Sequence, residues 1–519
     1  MIPMTKIPSD VNLSSFFSKY KNVYIYGAGK YGKVCADLFS ACNISFYGYI
    51  VSKKDKELID GYSVYSYDEI CHELASNDCL VMAMKKEYQL EVLSNTEKNF
   101  DGQLVDITSH KLFKRAINRD FVVRIEGLGQ KYPPSKYVNN DFSNILVIRL
   151  DRIGDMIWTS AFYRELRGNF PDAHITAVCT TSNLHLLNNC PYVDERIGYD
   201  YSYDEELGKL SDREVLKRAR EFAEERLRDR KYDVVFLPRG IMPRNTLANI
   251  YLAIFSSASV RIAGYYATND KVEEWYRDIM NKIFSVVAEH NYPLHEVEKA
   301  LNVIKSIGCK IESEHTEVWY KNTQVIADMN TEQVCALRSK FDYLIAIGLT
   351  SQSAARTWDP YYYKELFARL GGTFSVCFLL LGGLDAKKEA TIALDDRYCL
   401  DFTGKTNYND VMQLISLCDI YVGSNTGLEH IAAALKKPVI EISASFPWGD
   451  DNMGLSPKNC GAWRTKYTVL CPEVPKDEVC AKAGYCVNEK PHCINGVSVD
   501  SVQNMLIGFM KYGNFSCSL

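Results

Sequence analysis

Short apolar runs that empty into a glycine or polar turn, and then into helix-spaced residues, recur along this chain. That repetition constrains the fold more than any other feature. Asn22 to Tyr26 ends at Gly27-Ala28-Gly29-Lys30-Tyr31-Gly32, after which Val34, Cys35, Leu38 and Phe39 follow at helical spacing. Further strands are predicted at Ile44 to Val51 and Cys79 to Met84, with a helix near Tyr67 to Ala75 between them. Strands that alternate with helices need crossover connections, and crossovers build parallel sheets. The pattern restarts at Ile145 to Leu150, with a polar loop from Asp151 to Asp155, a helix from about Met156 to Asn169, and strands at Ile175 to Cys179 and Val234 to Leu237. It restarts again at Tyr343 to Ile347, with a helix over Tyr361 to Leu370 and strands at Ser375 to Leu381, Ile420 to Val422 and Pro438 to Ile442.

The chain is therefore read as α/β, and its 519 residues predict about three domains at roughly 100 to 200 residues each. A small Rossmann-like domain is expected over 1–115 and a Gly- and Pro-containing linker over 116–143. Two successive Rossmann-like halves follow over 144–335 and 336–519, with a ligand cleft between them. A formal net charge of -5 lacks the basic excess of a general nucleic-acid binder, so no nucleic-acid partner is expected. The charged run Arg213 to Arg230 interleaves Glu and Arg as a solvated helix face does. No apolar stretch reaches the roughly 18 residues needed to cross a bilayer. Met1 to Tyr20 has no secretory-signal pattern, and a cytoplasmic address is expected.

Three segments carry chemistry. Ile145 to Met156 delivers Gly154-Asp155 to the start of a helix, where Asp155 serves either as a first-turn carboxylate or as a base at the mouth of the cleft. The helix N-terminus is expected to keep it ionised at neutral pH. Gly423-Ser-Asn-Thr-Gly-Leu-Glu-His-Ile runs from a strand end through a small-residue turn into a helix that ends at Lys436-Lys437-Pro438. Free amides at such a turn attract phosphate. Arg356-Thr357-Trp358 could set a cation against a pyrophosphate, although Arg356 alone also fits a surface charge.

Taken in order, these segments, with Leu379 to Gly383 and Phe402-Thr403-Gly404-Lys405-Thr406, resemble the heptosyltransferases of lipopolysaccharide core synthesis, glycosyltransferase family nine, over residues 144–506. The resemblance implies a GT-B fold of two facing Rossmann-like domains, here preceded by the small α/β domain. It implies an inverting mechanism with no required metal or other cofactor, a nucleotide-sugar donor such as ADP-heptose, and a glycan or glycolipid acceptor, with peripheral contact at the inner membrane. By position, Asp155 matches the catalytic base and Arg356 the basic donor-phosphate contact, usually Lys. Asn425, Thr426 and Gly427 match the phosphate-facing turn, with His430 on the donor side or as a core histidine. Arg152, Arg239 and Arg244 are acceptor-side candidates.

This sequence departs from that pattern at Asn425, where Asp is common, and at Glu429, which makes Thr426-Gly-Leu-Glu429 a capping-box pattern that would occupy the turn's amides. A catalytically silent sugar-nucleotide-binding or assembly protein is the alternative these departures motivate. An NAD-dependent enzyme built on Gly27, Gly29 and Gly32 is another, but the region after the second strand, Tyr49-Ile-Val-Ser-Lys-Lys54, lacks the acidic residue that holds a ribose. The amino-terminal domain reads as a nucleotide or nucleotide-sugar binder, or as a packing module. Cys471, Cys480, Cys486 and Cys493 form a candidate structural metal set, set against free buried thiols in a reducing compartment.

Overall fold

The computed structural model describes residues 4–8, 11–84, 89, 92–93, 96, 100–108, 110–136, 139, 141–200, 212–241, 246–265, 274–288, 294–323, 325–326, 329–351, 354–444, 457–473, 478, 480 and 492–513. The chain forms two compact units, Met1–Lys131 with Glu273–Lys282, and Tyr132–Val272 with Ile283–Leu519.

In the first unit, β1 (Thr5–Lys6), β2 (Val23–Tyr26), β3 (Gly48–Val51), β4 (Leu58–Ile59), β5 (Tyr62–Ser66), β6 (Cys79–Met82) and β7 (Gln103–Asp106) form a sheet in the order β1-β7-β6-β2-β3-β5-β4. The pairs are parallel except β4 with β5. Alternation sorts the strand residues: Val23, Ile25, Cys79 and Val81 enter one core, while Tyr24, Tyr26, Leu80 and Met82 enter the other. The turn after β2 leads into α1 (Lys30–Ala41). Gly27 takes φ +102°, and a Cβ on Gly32 would lie 1.8 Å from the Gly27 carbonyl oxygen, so both glycines are demanded by backbone packing.

The expected linker over 116–143 is largely ordered as helix. Lys111–Ile117 and α2 (Arg119–Lys131) are helical, and Phe121 of α2 stacks on Tyr276 at 6.3 Å while Glu126 pairs with Lys282 at 2.6 Å. Its Gly127 and Gly129 do not break α2, because the apolar face of the helix is buried within the unit.

The second unit holds two six-stranded sheets. The first is β8 (Asn144–Arg149), β9 (His174–Thr180), β10 (Glu195–Tyr199), β11 (Val234–Ile241), β12 (Val260–Tyr265) and β13 (Val286–Ala288), ordered β10-β9-β8-β11-β12-β13. A two-stranded hairpin of β14 (Val325–Ile326) and β15 (Met329–Asn330) follows. The second is β16 (Tyr343–Gly348), β17 (Val376–Leu381), β18 (Cys399–Asp401), β19 (Ile420–Gly423), β20 (Val439–Ile442) and β21 (Tyr467–Leu470), ordered β18-β17-β16-β19-β20-β21. Each sheet is parallel and reverses its winding direction beside its first strand, so the crevices at the carboxyl ends of β8 and β11, and of β16 and β19, are the switch points where such sheets bind ligands. The boundary expected at 335/336 falls inside the helix Thr331–Lys340.

The helix expected over Met156 to Asn169 is two helices, α3 (Ile153–Trp158) and α4 (Ser160–Asn169), separated at Thr159. One continuous apolar core runs through both sheets of this unit and includes Trp158, Phe162, Leu379, Met412 and Ile431. The lobes are therefore joined by an apolar seam.

Candidate active site

Between the lobes lies a cleft of about 1500 Å³ lined by Arg152, Asp155, Arg239, Glu296, Arg356, Asn425, Thr426, Gly427 and His430 among others. All but Glu296, which opens the helix after β13, come from the switch-point strands or the connections and helices that follow them. Asp155 follows β8, Arg239 lies near the end of β11, Arg356 follows β16, and Asn425 to Gly427 follow β19. Glycines let the lobes approach: a Cβ on Gly427 would sit 2.7 Å from Ile153 Cγ2, and one on Gly154 would sit 2.5 Å from His430 Cδ2. The segment carrying Asp155 thus touches the turn that begins α5 (Gly427–Ala434).

Asp155 sits in the first turn of α3 with its side chain 24% exposed toward the cleft. Its Oδ1 accepts from Arg149 Nη2 at 3.1 Å and its Oδ2 from the Arg152 backbone N–H at 3.3 Å. Burial pushes its pKa above the ordinary 3.8 against the pull of Arg149, and the neighbouring Glu296 carboxylate pushes it further up. The Arg152 backbone N–H at the helix start pulls the pKa down, the direction expected of a helix N-terminus, but less strongly than Arg149 does. Burial dominates, and the guanidinium of Arg149 is the principal stabiliser of the anion.

Arg149 is 2% exposed and also forms a 2.8 Å ion pair with Asp151, which pairs in turn with Arg239. Arg239 is therefore committed to holding Asp151 as well as facing the cleft. Arg152 is exposed and close enough to Arg356 to perturb it electrostatically, so this acceptor-side candidate stands near the donor-side one. Arg244 lies outside the described residues.

Arg356 ends the turn Ala354–Arg356, and its backbone carbonyl accepts a hydrogen bond from Ser424 Oγ, which ties it to the β19 turn. Burial holds its guanidinium below the ordinary pKa, with Arg152 pushing the same way against the pull of Cys460 and Glu441. Two guanidinium groups converging from opposite lobes make an anion site. Beneath the loop, Trp358 is fully buried and donates from Nε1 to the Val497 carbonyl at 2.9 Å.

The capping box expected at Thr426 and Glu429 does not form. Thr426 is the N-cap of α5 with no side-chain capping bond, and Glu429 is instead wholly buried with Glu441. Burial raises the pKa of both carboxyls, and the Glu441 charge pushes Glu429 further up, whereas hydrogen bonds from Tyr467, Ser443 and Asn425 and the Arg356 charge pull against the rise at Glu441. Asn425 donates from Nδ2 to the Cys460 carbonyl at 2.8 Å and to Glu429 Oε1 at 3.4 Å. An aspartate there could donate neither bond and would add a third carboxylate to the pair, which is the physical reason for Asn at this position.

His430 is 3% exposed, 4.5 Å from the Trp158 ring, and driven down to a pKa of about 3, first by burial and then by His295. It lines the cleft as a neutral packing residue of the lobe seam. His295, stacked on Trp463 at 4.4 Å, is likewise pushed down to about 4 by burial.

Sequence reasoning passed over Arg149 and Glu296. A lone Arg inside the apolar strand Ile145 to Leu150 was a usable signal, because a buried charge has to be paired. Glu296 carried none. It opens the helix Glu296–Lys305, and Lys299 at 2.7 Å with the Arg149 and Arg239 charges outweighs burial and holds it below its ordinary pKa.

In the amino-terminal unit the strand after the glycine turn, β3, is followed by Ser52, which faces Tyr26 at 3.5 Å, with no carboxylate at that position. Of the four cysteines singled out, Cys480 and Cys493 converge, and they converge with His492 rather than with Cys471. Cys486 lies outside the described residues.

The family described as Glycosyltransferase family 9 (heptosyltransferase) matches residues 272–476, a span that contains Arg356 and Asn425 to Gly427 and leaves Asp155 outside. Lipopolysaccharide heptosyltransferase 2 of Escherichia coli (strain K12) is 25% identical over 308 residues, 57% of this chain and 82% of its own length. Lipooligosaccharide heptosyltransferase 2 of Haemophilus influenzae is 23% identical over 313 residues, 58% of this chain and 82% of its own. Among solved structures, the glycosyl transferase family 9 from Veillonella parvula DSM 2008 aligns with a TM-score of 0.53 at 15% identity, covering 72% of this chain and 98% of that one, a likeness of fold.

Proposed function

We propose, from the premise that this chain is a heptosyltransferase-like glycosyltransferase of family 9 with the GT-B fold, that it moves a heptose from ADP-heptose to a lipopolysaccharide core acceptor with inversion at the anomeric carbon. The single observation that carries the reading is the cleft itself. A largely buried carboxylate pinned by Arg149 shares it with two converging guanidinium groups and an uncapped helix turn.

In the proposed step the acceptor hydroxyl gives its proton to Asp155 while its oxygen bonds to the anomeric carbon. The bond from that carbon to the diphosphate oxygen breaks, and its electron pair stays on the diphosphate. Arg356, Arg152 and the amides at Thr426-Gly427 take up the charge that develops there, so charge neutralisation is assigned to groups of this chain. Asp155 suits the role because burial lifts its proton affinity while the bond from Arg149 fixes its direction. A lipid-borne acceptor would be met at a membrane surface. Among the described residues, no helix is long and apolar enough to cross a membrane.

The experiment is transfer measured by mass spectrometry with ADP-heptose and a heptose-deficient core acceptor. Asp155→Asn is expected to keep donor affinity and lose turnover by about 10²- to 10⁴-fold. Wild-type turnover in that variant would falsify the base assignment. Absence of any transfer or donor hydrolysis by the wild-type chain across nucleotide sugars would return the silent binding protein as the better reading.

A further inference from the structure

The cluster that the cleft does not use lies in the carboxyl-terminal segment. One ligand-capable atom each from Cys480, His492 and Cys493 falls within 4.8 Å of the others, with Cys480 Sγ 4.0 Å from His492 Nε2. Both cysteines are buried, at 0% and 1% exposure, inside the core on one face of the second lobe's sheet, and the histidine is half-buried. A tetrahedral zinc site with metal–sulfur bonds of about 2.3 Å and metal–nitrogen bonds of about 2.0 Å brings such atoms to roughly 3.5 to 3.8 Å of one another. The three side chains therefore stand within a small adjustment of a ligating arrangement. Two thiols and an imidazole select zinc-class ions over magnesium or calcium, which take oxygen ligands.

We propose that Cys480, His492 and Cys493 bind one thiolate-preferring divalent transition-metal ion of the zinc class, and that this ion staples the carboxyl-terminal segment beneath the Arg356 loop. Binding replaces the two thiol protons, which pass to solvent.

The second half of the proposal follows from what lies next to the ligands. Directly after Cys493, the turn Ile494–Gly496 presents Asn495, whose Oδ1 accepts from the Asp359 backbone N–H at 3.2 Å, and Val497, whose carbonyl accepts from Trp358 Nε1 at 2.9 Å. Gly496 packs on Pro472, where an added Cβ would meet Pro472 Cβ at 2.9 Å. The loop that ends in Arg356-Thr357-Trp358 is thus held from below by the residues next to the metal ligands. The effect on donor binding rests on the donor-side reading of Arg356, whereas metal binding does not depend on it.

The test uses the full chain purified without oxygen and without a metal-binding tag. Metal analysis is expected to return about one ion per chain, and iron at that stoichiometry supports the site as zinc does. Stripped protein titrated with Co²⁺ alone should develop thiolate-to-cobalt absorption and tetrahedral ligand-field bands. Cys480→Ser and Cys493→Ser should lose both bands and metal, His492→Ala should weaken them, and Cys471→Ser should keep them. Should the buried cysteine variants fail to fold, chelation of the wild type decides, by release of the ion together with a fall in Tm.

Metal well below stoichiometry with no cobalt spectrum overturns the proposal. So does full metal retention in folded Cys480→Ser and Cys493→Ser, or a Cys480–Cys493 disulfide in the anaerobic protein. Removal of the ion should raise donor KM several-fold with less effect on kcat. Unchanged KM in metal-free, folded enzyme would overturn the stapling half alone, whereas an inactive wild type bearing the metal would sink the transferase reading and leave the site.

Discussion

Two turns in this molecule have the same local grammar: an apolar parallel strand, a glycine, and a helix. After β2, Gly27 and Gly32 are required by the backbone itself, the Gly32 position facing the Gly27 carbonyl. The charges near that turn are surface charges, as in the 3.6 Å pair of Lys33 with Asp60, each more than half exposed. After β19, Gly427 is required by the opposite lobe, because Ile153 presses against it, and the turn is ringed by Arg152, Arg356 and the buried carboxyls Glu429 and Glu441. A glycine turn at a strand end is a device for closing a crossover. It becomes a candidate site when a second lobe brings buried charge to face it.

The comparison breaks most visibly through activity. Asp155→Asn should cost about 10²- to 10⁴-fold in kcat, whereas Gly29→Ala, where an added Cβ meets nothing within 4 Å, should leave kcat and donor KM of the proposed transfer unchanged. A comparable loss from Gly29→Ala would mean that the amino-terminal turn takes part in the reaction.

Next in size is Gly427→Ala, whose new methyl meets Ile153 Cβ at 2.9 Å and displaces the two lobes. A misplacement of this order should lower kcat/KM by up to about 10²-fold. Steady-state kinetics at the wild-type level would show that the seam tolerates the insertion.

Asn425→Asp tests whether the environment of the β19 turn, more than its glycine, sets its character. The new carboxyl would join the Glu429 and Glu441 pair and lose the donated bond to Cys460. Its folded-state pKa would lie above the unfolded value, so the destabilisation should be largest near pH 8 and shrink as pH falls toward about 4. Thermal melts should show a deficit of a few degrees at alkaline pH. A deficit that grows toward acid pH would contradict the like-charge account.

The smallest effect is expected from Glu296→Gln. Glu296 raises the pKa of Asp155, and a base acts in its deprotonated form, so activity should rise with pH along a limb displaced above 3.8. Removing the neighbouring negative charge should move that limb to lower pH. An upward shift in the pH profile of kcat/KM would assign the limb to another group.

Much of the architecture was legible because parallel strands buried on both faces must be continuously apolar. Ile145 to Leu150, Tyr343 to Ile347 and Ser375 to Leu381 read as strands for that reason, and their ends differ by only a residue or so from β8, β16 and β17. Reading failed where tertiary contact overrides composition. Gly127 and Gly129 announce a linker, yet the apolar face of α2 has a partner in a segment beginning some 140 residues further on, around Tyr276. The pattern from Thr426 to Glu429 announces a capping box, but the carboxylate is drawn into the core beside Glu441. Spacing among the cysteines gave no indication that His492 is the third member of the cluster.

By itself, the sequence determined the central strands of the three large sheets, their parallel pairing and the residue types available at their ends, since these follow from local periodicity and the burial it imposes. Only the tertiary structure decided which of those ends face one another. The convergence of Arg152 on Arg356, the anchoring of Asp155 by Arg149, and the raised proton affinity of Asp155 depend on distance and on exclusion of water across a cleft. Coulomb energies and desolvation act through space, and separation along the chain does not encode them.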